Sequence, residues 1–268
     1  MNKGMKHALT LSAFLCAFGA SLTAGPLDHA TTLSVLPGWE TKNGSHMAGL
    51  RIDLADGWKT YWRAPGDAGI PPTITWSGSK NIGSAAFHWP VPEVFDQSGM
   101  RSIGYHDSVT IPIEVFPTKN GEMRLAGQIE IGVCDEICVP VTLDFDALLP
   151  VDGKRDAAIM AALLNRPLTA QEAGVGDVTC TIQPIEGGMQ ITTVAALTQN
   201  GAEAVVIETS NPYVWVSEPK VTRSATHITA TSDLIHVDGD SFAVDRSGIR
   251  MTVLSTGRAV DIQGCTAG

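Results

Sequence analysis

The sequence is poor in positive charge: 18 Lys and Arg stand against 28 Asp and Glu, a net charge of −10 at pH 7. Nucleic-acid binding needs clustered cations, and so does adhesion to anionic lipid, so both are disfavoured as functions. Long apolar runs are also missing after the first two dozen residues, so none of the later chain is expected to cross a membrane as a helix. Cysteine is scarce, at five residues. A Cys-x-x-Cys-His segment is absent, which excludes c-type haem attachment, and no second close Cys pair or His cluster adjoins the one pair that is present. Ser77-Gly78-Ser79-Lys80 formally fits Ser-x-x-Lys, but the companion motifs of that catalytic set are lacking. No short internal repeat is visible.

The N-terminus reads as a cleaved signal peptide over residues 1–24. Lys3, Lys6 and His7 precede an apolar run from Ala8 to Ala20, and small residues follow up to Ala24 and Gly25. The run is too short for a permanent span. Cys16 falls in this segment, and Phe14-Leu15 before it does not suit lipid attachment. Removing Lys3 and Lys6 shifts the charge from −10 to −12 and leaves 268 − 24 = 244 residues and four cysteines. In an oxidising compartment four cysteines predict two bridges, Cys134 with Cys138 and Cys180 with Cys265. The expected location is therefore periplasmic.

Strand signals dominate. Short runs rich in Val, Ile and Thr alternate with Gly, Pro, Asn and Asp clusters, as in a sandwich. Met123 to Ile131 alternates well enough to have one face buried, and Thr142 to Asp146 resumes the alternation. Cys134 and Cys138 then lie at the turn end of a hairpin with Asp135-Glu136-Ile137 at its tip. Asp156 to Asn165, closed by Pro167, is the clearest helix. The expected fold class is all-β: two immunoglobulin-like sandwiches, residues 28–150 and 177–268, joined by a helical linker over 151–176. A hairpin turn is expected around Asp238-Gly239.

Two thiols this close can form a disulfide and exchange it with another protein. Asp135 and Glu136 disfavour thiolate, and no Lys, Arg or His lies in the loop to offset them, so the pair reads as a relay attacked by a partner rather than a strong oxidant. A permanent structural bridge and a half-site for a metal, completed by His88 and His106 in space, are the competing readings. The Cys180–Cys265 pair would close a long loop and is read as structural.

Gly57-Trp58-Lys59-Thr60-Tyr61-Trp62-Arg63-Ala64-Pro65-Gly66-Asp67-Ala68-Gly69-Ile70-Pro71-Pro72 resembles a signature of the N-terminal periplasmic domain of DsbD-type thiol:disulfide interchange proteins. Trp89-Pro90-Val91-Pro92, Gly104-Tyr105-His106-Asp107 and Val133-Cys134-Asp135-Glu136-Ile137-Cys138-Val139-Pro140 agree in order. The likeness spans about residues 35 to 150 and is nearest to the suppressor of copper sensitivity protein B branch, in which a second β domain follows. It implies a sandwich whose catalytic pair, Cys134 and Cys138, cycles between dithiol and disulfide, with Cys138 forming the mixed disulfide and Cys134 resolving it. It implies a cap at Glu93 to Gln97 with Phe95 as the lid, and Tyr105 and Asp67 as neighbours of the site. No cofactor is implied. The implied partners are a thioredoxin-like or DsbD-type membrane reductase and a periplasmic disulfide isomerase or reductase. The cysteine spacing is narrower than in the better-known DsbD domain. Neither membrane helices nor a thioredoxin-like module is seen up to Gly268, so a stand-alone relay is expected. A non-catalytic assembly module and a copper-handling protein are the other functions compatible with the sequence.

Overall fold

The structure is a computed structural model that describes residues 30–97 and 100–268. The signal-peptide reading and Cys16 lie outside the described residues. Two β-sandwiches follow one another. In the first, one sheet has the order β1–β2–β8–β5, with β1 Thr31–Glu40, β2 His46–Leu54, β5 Ile82–Phe87 and β8 Ser108–Pro117. The other has the order β10–β9–β3–β7–β6, with β3 Lys59–Tyr61, β6 Glu93–Gln97, β7 Met100–His106, β9 Met123–Cys134 and β10 Cys138–Leu149; β4, Thr73–Thr75, also pairs with β9. Alternation explains the layering. Leu50, Ile52, Ile111, Ile113, Leu125, Ile129 and Ile131 are buried between the sheets, while their sequence neighbours turn outward.

The predicted helix is α1, Ala157–Leu164. Asp156 caps it by accepting hydrogen bonds from the Ala158 and Ile159 amides, and Pro167 follows its end. It is docked rather than free. Ile159 is fully buried and lies against Gly49 on β2, where any side chain would crowd it.

The second sandwich pairs a β11–β19–β18–β14 sheet with a β15–β17–β13–β12–β20 sheet. Their ranges are β11 Leu168–Thr169, β12 Val178–Ile185, β13 Gly188–Ala196, β14 Glu203–Glu208, β15 Val214–Val216, β16 Lys220–Arg223, β17 His227–His236, β18 Arg250–Ser255, β19 Arg258–Gln263 and β20 Thr266–Ala267. Strand β16 adds to β17 beside β15. Ala204, Leu254 and Ala259 of this sandwich are packed into the apolar cluster of the first. Gly239 does sit in a turn, with φ of 75°. The expected hairpin there does not form, because the next long strand, β18, joins the opposite sheet. No described helix is long and apolar enough to cross a membrane.

Candidate functional site

Strands β9 and β10 pair without a break from Met123 opposite Leu149 to Cys134 opposite Cys138. Every residue of this ladder alternates between the sandwich interior and the outer face. The ladder ends at the cysteines, which are joined as a disulfide, with Asp135 to Ile137 as the tip. The two sulfurs differ in setting. Cys134 is fully buried, whereas Cys138 is exposed and its neighbour Ile137 is 74% exposed. A foreign thiolate can reach only the second sulfur.

The buried sulfur is surrounded by residues that register brings to it. Lys59 on β3 is paired with Cys134 on one side and with His106 on the other. Directly opposed residues share a face, so Cys134, Lys59 and His106 form one row on the outside of the sheet. Thr60, Val133 and Tyr105 form the next row and point inward. Two residues along from Lys59, Tyr61 returns to the outer face.

Three features hold Tyr61 there. Gly132 on β9 has no side chain, and a Cβ at that position would lie 2.9 Å from the Tyr61 ring. The loop after β3 folds back over the ring, and a Cβ on Gly69 would also come within 2.9 Å of it. Ala68 presents its carbonyl 3.5 Å from the hydroxyl. The ring is thus buried, and its hydroxyl lies 2.6 Å from Cys134 Sγ and 3.0 Å from Cys138 Sγ. A disulfide sulfur carries no proton, so the hydroxyl is the donor in both contacts. Burial pushes the Tyr61 phenol above its usual range, which keeps it protonated and able to donate.

Positive charge reaches the site from the sheet, not from the loop. Lys59 is almost wholly buried, and desolvation lowers its pKa. Its ammonium lies 5.2 Å from the centre of the Phe95 ring, a cation–π contact. Phe95 also meets His106 edge-on at 6.4 Å. His106 Nδ1 is 2.8 Å from Glu93, and Nε2 is 3.3 Å from Asp107. The rim therefore carries the carboxylates of Glu93 and Asp107, and Lys59 stands in register with the inner cysteine. The loop of residues 135–137 holds no cation, as its sequence shows, and the β3 partner of Cys134 is Lys59.

Phe95, expected as a lid, stands on β6 opposite Ser102, on the outer face that carries the cysteines. Tyr105 is not brought to the sulfurs. It is on the inward face, and its hydroxyl donates to the Pro90 carbonyl at 2.9 Å, fixing the segment that leads into β6. Asp67 is exposed and lines a cleft between the two sandwiches. Cys180 and Cys265 are joined, tying β12 to the C-terminal segment. His88 lies 3.4 Å from Glu114 in the other sheet. Among the described residues no group of three or more His, Cys, Asp or Glu is arranged to hold a metal ion. Neither Tyr61 nor Lys59 was among the site residues expected from the sequence. Their alternate spacing in Lys59-Thr60-Tyr61 was the available signal, but it points to the cysteines only once β3 is known to pair with β9.

Residues 31–150 match the family model described as thiol:disulfide interchange protein DsbD, N-terminal. No curated protein matches the chain. The fold is similar to that in the crystal structure of the N-terminal periplasmic domain of ScsB from Proteus mirabilis, at 22% identity and a TM-score of 0.67. That likeness covers 92% of this chain and 97% of the other.

Proposed function

We propose that this chain is a periplasmic electron relay, a reading supported by the match of residues 31–150 to the N-terminal family model of the DsbD thiol:disulfide interchange proteins. It takes electrons from a thioredoxin-like or DsbD-type membrane reductase and passes them to a periplasmic disulfide isomerase or reductase. The observation that carries this reading is the asymmetry of the pair: Cys138 lies open beside the exposed Ile137, while Cys134 is buried under a hydroxyl donor.

In the first step a donor thiolate attacks Cys138 Sγ. The Cys134–Cys138 bond breaks, its electron pair stays on Cys134, and a mixed disulfide forms between donor and Cys138. The Tyr61 hydroxyl donates to the new Cys134 thiolate, and Lys59, in register with Cys134 on the same face, adds positive charge to that side of the sheet. The donor's second thiolate then attacks its own sulfur in the mixed disulfide. Cys138 leaves as a thiolate, the donor is oxidised, and the pair has become a dithiol after protons are taken up from water. Transfer to the acceptor is the same sequence reversed: the Cys138 thiolate attacks the acceptor disulfide, and Cys134 resolves the mixed species. Phe95, against Lys59 and His106 on the same face, is the lid in this reading, and a docking protein would displace it to gain contact area around Cys138.

Capture tests the reading. Cys134→Ser should accumulate a mixed disulfide through Cys138 when incubated with periplasmic extract under mild oxidation, and Cys138→Ser should accumulate none. Absence of any adduct with Cys134→Ser would sink the relay.

A further inference from the structure

Arg63 follows Tyr61 by two residues and leaves the first sandwich altogether. Its Nε and Nη2 donate to both oxygens of Glu208 on β14, at 3.1 and 2.9 Å, and Nη2 lies 3.3 Å from Thr252 Oγ1 on β18. The guanidinium is stacked 3.9 Å from the Trp62 ring, itself fully buried. A planar, two-pronged, largely desolvated pair of this kind fixes orientation as well as distance.

The chain beyond Arg63 is held between the same two bodies. Ala64 to Gly69 wraps over the Tyr61 ring and at the same time lines the cleft of about 500 Å³ that separates the sandwiches. The Ile103 amide on β7 donates to Pro65, and Gly66 packs on the Arg101 carbonyl so closely that a Cβ would lie 2.9 Å away. Arg101 is in turn paired with Glu218 of the second sandwich at 2.8 Å. That second pair is more open to solvent, and exposed pairs hold little. The Arg63 contact is the firmer grip.

We propose that Glu208 is a positioning residue for exchange at Cys138: acting through Arg63, it holds the end of β3 and the loop after it so that the Tyr61 hydroxyl stays on the sulfurs. This assigns the second sandwich a part in the chemistry although none of its residues touches the disulfide. It rests on the role given to Tyr61 above.

The test is the second-order rate at which dithiothreitol opens Cys134–Cys138 in the full oxidised chain, read for Tyr61→Phe, Glu208→Gln, Glu208→Asp and the Tyr61→Phe/Glu208→Gln double variant. Tyr61→Phe should slow opening about ten-fold by losing its hydrogen bond to the developing charge, and Glu208→Gln about five-fold by weakening the Arg63 pair that keeps that bond aligned. Glu208→Asp should recover most of the rate. The double variant should be no slower than Tyr61→Phe alone, since both act on one contact. A parent-like rate for Glu208→Gln, or effects that multiply in the double variant, would overturn the proposal. A parent-like rate for Tyr61→Phe would instead overturn the role of Tyr61 itself. If Glu208→Gln does not fold, Thr252→Val, which removes the third Arg63 contact, serves in the same cycle.

Discussion

The molecule contains two disulfides of equal chemistry and opposite surroundings. Cys134 and Cys138 are 4 positions apart, and Cys180 and Cys265 are 85 apart. In the chain-entropy account, closing the longer loop stabilises by roughly 4–5 kcal/mol and the shorter by about 2. The long bridge ties β12 to the C-terminal segment, with Cys180 buried and the Gly268 amide donating to its carbonyl. The polar neighbour of Cys265 Sγ is the Arg246 carbonyl at 3.8 Å, which cannot donate to a departing sulfur. The short bridge has a hydroxyl donor on both sulfurs and Lys59 in register with the inner cysteine. What separates a staple from an exchange site is thus the ability of the surroundings to hold a thiolate, together with how little the fold loses when the bond opens.

The contrast can be broken in three ways. The largest expected effect is in redox equilibrium. Titration against glutathione buffers should open Cys134–Cys138 at a potential above about −300 mV and leave Cys180–Cys265 intact to values below it. Equal midpoints, followed by alkylation and mass spectrometry, would erase the distinction. Next in size is stability. Urea unfolding of Cys180→Ala/Cys265→Ala should show a loss of about 4 kcal/mol, against at most about 2 for Cys134→Ala/Cys138→Ala. The reverse order would make the short bridge the structural one. The smallest effect is a slope with pH. Burial lowers the Lys59 pKa below 10.5, so between the lowered value and 10.5 the unfolded chain binds more protons than the native one. Stability therefore rises with pH across that window. Lys59→Met should remove that rise, measured as urea midpoints between neutral and alkaline pH.

Much of the fold could be read from the sequence because a half-buried strand must alternate. Met123 to Ile131 and Thr142 to Asp146 carried that signal, and Cys134 and Cys138 fell at the end of the hairpin they build. Asp156, the Ala- and Leu-rich run and Pro167 likewise marked the helix. Position across the sheet was not legible. Tyr61 reaches the sulfurs, and Lys59 stands opposite Cys134, only because β3 pairs with β9, 73 to 75 residues on, and because Gly132 leaves room. Asp67 belongs to the same signature as Tyr61, yet its loop turns it toward the second sandwich. The turn at Asp238-Gly239 was recognisable from its residues, but local turn chemistry does not say which sheet receives the next strand. Contacts such as Arg63 with Glu208 join segments with no pattern in common.

Ala204, Leu254 and Ala259 belong by sequence to the second sandwich and by packing to the first. The second half keeps an apolar core of its own, and these three residues couple it to the core of the first. A cavity made at Ala204, Leu254 or Ala259 is therefore felt by both halves, whereas one made deep in either separate core is not.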